Sequence, residues 1–401
     1  MPKGLFFSLP SISVANTLMP VIEEASLRGY EMVCYNTDAF RPKEPAPFRF
    51  MAYPDGKGFG FEKMDVDISY FQFGEFLTDT AIAILDFLLE EVEREKPDFI
   101  LHSHLALWGK LVARHFQIPA VSLFSTFVLD ERIMVPFIRK LNTGSGISLT
   151  NISQGRRFFE KLQSLHDRLH FPDRPDIWDI YVNREQLNIS FILGEFQPQR
   201  NMLGDSYHFV GPTFSTSRAS LKHDLIYVSL GTIFTRDIPF YRLCIEVLRN
   251  FNMNAILSIG DKIEAEELGD IPGHIRIETF SNQTAILEDA ALFITHGGMA
   301  SVHEAVYTST PMIVIPAIPE QVVTAESVET LGIGIQLEPG NITRELLHSS
   351  IRAILDNHRQ YVDNLNALTQ NLPESSGAAS ACTLIDRYLG VKAEGKVEGG
   401  R

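Results

Sequence analysis

Short apolar runs alternate with amphipathic stretches along most of this chain. Residues 5–9, 32–35, 99–102, 120–124 and 189–193 read as strands in the first half. Residues 225–230, 255–259, 276–279, 292–295, 312–315 and 334–337 repeat the theme in the second. Between them lie helical patterns such as 75–96, where Ile82, Ile84, Leu85, Phe87, Leu88 and Val92 fall largely on one face. Continuous apolar strands separated by helices predict parallel sheets covered on both faces. The polar stretch 215–223 divides the two halves. The pattern therefore predicts an α/β protein of two Rossmann-like domains facing across a cleft, about 1–215 and 220–375. Residues 131–185 interrupt the alternation, and the Gly-, Lys- and Glu-rich tail 392–401 reads as disordered.

Composition narrows the picture slightly. A length of 401 residues fits two domains, and 45% apolar with 21% charged residues is ordinary for a protein with a full core. The formal charge of −15 argues against sequence-independent binding to nucleic acid and against broad attraction to an anionic membrane. Cys34, Cys244 and Cys382 stand far apart in apolar settings and read as free buried thiols. The first apolar run is too short for a signal peptide, and no run approaches the ~18 residues of a membrane span. The expected location is the cytoplasm.

The chemistry concentrates between Thr295 and Gln321. The strand 292–295 ends in His296-Gly297-Gly298, and a helix opens through Met299, Ala300 and Ser301. Paired glycines at a strand-to-helix turn let backbone amides approach an anion, and the helix N-terminus favours negative charge. A diphosphate fits such a place. His296 and Ser301 can add donors, and Glu304, one turn further on, can accept from a ribose diol. Glu320 and Gln321, after the next apolar run, suit sugar hydroxyls.

Here the chain resembles the two-domain GT-B glycosyltransferases that use nucleotide sugars, in the branch with bacterial macrolide enzymes and the UDP-glycosyltransferases. Phe280-Ser281-Asn282-Gln283 stands where that family stacks an aromatic ring on the nucleobase. Tyr227-Val228-Ser229-Leu230-Gly231-Thr232 resembles its first strand of the second half, and Phe209-Val210-Gly211-Pro212 the segment before its linker. The resemblance implies a donor site of Gly231, Thr232, Phe280, Ser281, Gln283 and the 296–304 turn, with Glu320 and Gln321. It implies a helix at 376–391 that returns to the first domain, and a nucleotide sugar as co-substrate, with no metal or cofactor. Asp65-Val66-Asp67 reads as a solvated edge. Glu304 favours UDP, with its 2′,3′-diol, over a deoxyribose nucleotide.

The acceptor half departs from that family. Its members carry a histidine in a Gly-His-x-Asn-Pro-like segment after the first strand, oriented by an aspartate after a later strand. Matching Ser8-Leu9-Pro10 and Asn16 to this pattern puts Val14, beside Ser13, at the histidine and Ser103 at the aspartate. His102, His104 and Asp130 are candidate substitute bases, and Ser13, Val14, His104 and Phe127 candidate acceptor-pocket residues. Two readings follow. One is an inverting transferase moving a hexose to a small apolar or phenolic acceptor; the other is a non-catalytic, nucleotide-sugar-binding relative.

Overall fold

The computed structural model describes residues 1–54, 70–129, 152–176, 179–214, 224–231, 237–370 and 376–391. The chain divides into two compact units, Met1–Phe214 with Ser375–Arg401, and Ser215–Glu374.

Among the described residues the first unit holds seven strands: β1 Lys3–Phe7, β2 Glu31–Asn36, β3 Arg49–Ala52, β4 Phe99–Ser103, β5 Ala120–Phe124, β6 Leu187–Ser190 and β7 Tyr207–Phe209. All are parallel, in the order β3-β2-β1-β4-β5-β6-β7. Helices α1 Ile12–Leu27, α2 Tyr70–Glu95, α3 Leu107–Phe116, α4 Ile152–Arg168 and α5 Asp179–Val182 connect them. Both faces of the sheet are covered. Cys34 Sγ lies 3.7 Å from Met19 Sδ on α1, while the next residue, Tyr35, donates its hydroxyl to Glu91 on α2 at 2.9 Å. Successive residues of a strand point to opposite faces, so α1 and α2 lie on different sides. That double cover explains why β4 and β5 are buried along their whole length.

The second unit repeats the plan with β8 Leu225–Ser229, β9 Asn254–Ser258, β10 Ile275–Glu278, β11 Leu292–Thr295, β12 Met312–Val314 and β13 Gly334–Gln336. Their order is β10-β9-β8-β11-β12-β13, again parallel throughout. Helices α6 Ile238–Leu248, α7 Gln283–Asp289, α8 Met299–Tyr307, α9 Pro319–Thr330, α10 Arg344–Asp356 and α11 His358–Thr369 flank it. The last helix, α12 Gly377–Tyr388, belongs to the first unit. Asp386 holds it there, accepting from Tyr30 at 2.6 Å and from Arg28 at 2.9 Å. Among the described residues no helix is long and apolar enough to cross a membrane.

Two strands were not legible as apolar runs. β3 and β7 stand at the sheet's edges, and none of their residues is fully buried. An edge strand needs less apolar surface, so its pattern is weak. Helix α2 begins at Tyr70, earlier than the apolar periodicity from 75 suggests, and ends where Lys96 turns left-handed at φ 49°.

One ionic knot secures the amino end of the first sheet. The Glu95 carboxylate, at the end of α2, receives Lys3 of β1 at 2.6 Å, Arg94 at 3.1 Å and also Arg49 of β3. Burial pushes its pKa up, but hydrogen bonds from Lys3, Arg49 and Arg94 outweigh that and bring it down to about 2. The folded value lies below the unfolded one, so the stabilisation is complete above about pH 4.5 and fades as pH falls towards about 2. Glu95→Gln should lower stability at pH 7 by about 1–3 kcal/mol, a range discounted for the half-exposed arginines. Urea melts at pH 7 and pH 3 check this: the deficit should shrink at the lower pH.

Candidate functional site

In a doubly wound sheet, ligands bind beyond the carboxyl ends of strands where the winding reverses. In the second unit that place lies between β8 and β11, which are paired with Ser229 opposite Thr295. Both strands leave the sheet the same way. The Ser229 hydroxyl accepts from Gly231 N at 3.3 Å, and the Thr295 hydroxyl accepts from Gly297 N at 3.3 Å. Both glycines have positive φ, 75° and 86°. The two turns therefore run side by side, and their first glycine amides are used internally. The amides not used in these turns begin one residue later, at Gly298.

His296 fills the space between these turns. A Cβ on Gly231 would lie 2.5 Å from its Cε1, and one on Gly298 would lie 2.7 Å from its Nε2. The ring is half-buried, with Nδ1 sealed and without a hydrogen-bond partner among the described residues. Burial lowers its pKa to about 4, only partly offset by the Ser229 carbonyl. At neutral pH this is an uncharged imidazole, a hydrogen-bonding group rather than a cation.

Helix α8 starts directly after Gly298, with no side-chain cap and no acidic residue in its first turn. Its leading amides are therefore free to meet a negative group. Met299 is buried, Ala300 exposed and Ser301 intermediate. Gln283, at the start of α7, donates to Ser301 Oγ at 3.0 Å and to Glu304 Oε2 at 2.8 Å. Burial raises the Glu304 pKa, while hydrogen bonds from Gln283 and Thr284 draw it back. Glu304 is thus held in one orientation with accepting capacity to spare. Phe280 is 64% exposed, which leaves a ring face open for stacking, and Ser281 beside it donates to Glu278. Gln321 is less free than expected: its Oε1 accepts from Ala317 N at 2.8 Å and Ile318 N at 3.2 Å, clipping the loop before α9. Glu320 is intermediate in exposure. Thr232 lies outside the described residues, as do Asp130, Asp65 and Asp67.

In the first unit the suspected positions do not form a loop. Ser13 and Val14 sit in the first turn of α1, Ser13 exposed and Val14 5% exposed. Ser103, the last residue of β4, is fully buried and its Oγ has no partner among the described residues. His102 faces the other way, under Gly109 of α3, with Nε2 3.2 Å from Glu185 and Nδ1 3.1 Å from the Ser103 carbonyl. Both ring nitrogens are occupied, so His102 is poorly placed to take a substrate proton. His104 stacks on Phe124, centroids 4.8 Å apart, and burial lowers its pKa to about 4. Asn183 donates to the His104 carbonyl at 2.6 Å, and Phe127 is buried nearby in the chain after β5. Glu185 and Asn183 gave no sequence signal, because they are isolated polar residues joined to their partners only by folding. Among the described residues no cluster of His, Cys, Asp or Glu could hold a metal ion.

The close approach of Gly297 to Val314, at the same turn, makes a testable demand. Gly297→Ala would place a side chain at φ 86° with its Cβ 2.5 Å from Val314 Cγ1. It should lower stability by about 1–3 kcal/mol, read as a drop in Tm. A Tm equal to wild type would contradict the crowding described.

Comparison with known proteins agrees with this architecture. The family described as "Erythromycin biosynthesis protein CIII-like, C-terminal domain" matches residues 242–379. The protein named NDP-glycosyltransferase YjiC of Bacillus licheniformis is 31% identical over 306 residues, 74% of this chain and 74% of that one. The uncharacterized UDP-glucosyltransferase YojK of Bacillus subtilis is 29% identical over 96% of this chain and 97% of its own length. Among solved structures, the calicheamicin glycosyltransferase CalG4 superposes with a TM-score of 0.83 at 20% identity, over 98% of this chain and 99% of that one. With a doubly wound pair of units and these relatives, the chain belongs to the glycosyltransferases that use nucleotide sugars.

Proposed function

We propose that this protein transfers a hexose, with inversion, from UDP-glucose to a small apolar or phenolic acceptor. The observation that carries the reading is the brace in which Gln283 holds both Ser301 and Glu304, one turn into an uncapped helix. In this reading the base stacks on Phe280, the ribose diol donates to Glu304, and the diphosphate meets the amides from Gly298 to Ser301 with His296. Glu320 and the remaining amide hydrogens of Gln321 approach the sugar. A relative named a UDP-glucosyltransferase supports the choice of donor. Fixed amides stabilise charge growing on the leaving diphosphate without proton transfer, so the donor side needs neither metal nor cofactor. Three buried, unbridged cysteines fit a reducing compartment such as the cytoplasm.

The second reading, a relative that binds the donor without turnover, is favoured by one observation: neither Val14 nor Ser103 can hold a proton at neutral pH. General-base help is worth roughly 10²–10⁴-fold, so acceptors ionised near neutrality should be preferred to aliphatic alcohols. A series of phenols of falling pKa, assayed by UDP release, tests this. Equal rates for alcohols and acidic phenols would mean that a base is present, and His104→Ala would then ask whether it is that residue. No transfer to any acceptor, with UDP still bound, would favour the second reading.

Donor binding is tested apart from turnover. Glu304→Ala should weaken UDP by about 1–3 kcal/mol in calorimetry. The wild-type affinity should also fall as pH drops through the raised pKa of Glu304, because the protonated acid accepts poorly. Unchanged affinity in both Glu304→Ala and His296→Ala would remove the assignment.

A further inference from the structure

The winding of the first sheet reverses at β1, between β2 and β4. Phe7 pairs with Tyr35 on one side and with His102 on the other. One residue further on, Ser8 therefore stands between Asn36 and Ser103. Side chains alternate along a strand, so Asn36 shares the face of Cys34, which touches Met19 of α1. Ser103 shares that face too, because Leu101 pairs with Phe6, which pairs with Cys34. Two residues up a strand is about 6.6 Å, and the same rise along a helix takes about four residues. Counting back from Met19 sets Asn36 level with Ala15, in the first turn of α1.

Both residues therefore face the α1 side of the sheet at this level, and each has a buried donor atom without a partner among the described residues. Asn36 is 1% exposed and Ser103 is 0% exposed. The Asn36 carbonyl oxygen accepts from Thr37 N at 2.8 Å, which fixes the amide's orientation and leaves Nδ2 as the unpartnered atom. Ser103 Oγ is likewise unpartnered among the described residues. Helix α1 has 16 residues, no side-chain cap and no acidic residue in its first turn. Unpaired side-chain donors, helix amides and the positive end of the helix all suit one kind of group, an anion. A buried unsatisfied donor costs about 1–3 kcal/mol, so a partner that satisfies both is favoured.

We propose that the first turn of α1, flanked by Asn36 and Ser103, binds the carboxylate of an acidic acceptor. The use of that carboxylate as acceptor rests on the transferase reading; its binding does not. In the transfer, a carboxylate oxygen bonds to the anomeric carbon as the bond from that carbon to the diphosphate oxygen breaks. The electron pair leaves with the nucleoside diphosphate, and the product is a glycosyl ester. No proton moves, so a base at position 14 has no task.

The test uses the full chain, with benzoate and benzyl alcohol as probes that share a ring and differ in charge. Calorimetry should show benzoate binding at least about tenfold more tightly than benzyl alcohol. Ser103→Ala and Asn36→Leu should each weaken benzoate by about tenfold and leave UDP affinity unchanged. Equal affinity for the two probes overturns the proposal, as does undiminished benzoate binding in Ser103→Ala, a substitution small enough to keep the fold if Asn36→Leu does not. Benzoate bound at this turn but never glycosylated with UDP-glucose would uphold the site and sink the transferase reading. Transfer to benzoate at full rate in both variants would do the reverse.

Discussion

The second unit depends on how closely two parallel strands can leave their sheet together. β8 and β11 end in register, and each spends a hydroxyl, Ser229 or Thr295, on the amide of a left-handed glycine two residues on. The paired turns leave just enough room for the His296 ring, which occupies the volume that side chains at Gly231 and Gly298 would need. Once that ring is seated, the first turn of α8 has only one place to begin. The direction of its free amides, the reach of Ser301 and the level of Glu304 all follow.

Polar groups beyond that turn are held by a second constraint. Glu304 lies on a helix and Gln283 opens a different one, yet a single side-chain amide joins them through Ser301 and Glu304 together. Such a brace fixes acceptor geometry before any ligand arrives, which lowers the ordering cost of binding. The same economy makes Gln321 structural: its carbonyl oxygen serves the loop before α9, so only its amide hydrogens remain.

The first unit is built on the same winding but carries different chemistry at its reversal. Its strand ends present Asn36, Ser8 and Ser103 towards α1, and His102 towards α3. The histidine is engaged at both ring nitrogens, by Glu185 and the Ser103 carbonyl. Its neighbour His104 is kept uncharged by burial against Phe124. Polar atoms sealed without partners among the described residues gather at this end of the sheet, including Asn36 Nδ2, Ser103 Oγ, Ser122 Oγ and Asn183 Oδ1. Unsatisfied groups are rare in folded interiors, which sets this end of the sheet apart from the rest of the described core.

The sequence by itself determined the α/β class, the central strands and the glycine turn before α8. Each is written in residues adjacent along the chain: apolar runs set strands, Ser-x-Gly and Thr-x-Gly set the exits, and an uncapped helix follows two glycines. Edge strands β3 and β7 escaped because a half-exposed strand needs no continuous apolar run. Which face each residue takes was decided only by the tertiary structure. Register and alternation turned Ser103 towards α1 and His102 away from it, and put Val14 inside a helix turn rather than in a loop. Pairings such as Gln283 with Glu304, or Asn183 with His104, join residues far apart in the chain. Their partners are chosen by the packing of whole elements, so no local pattern encodes them.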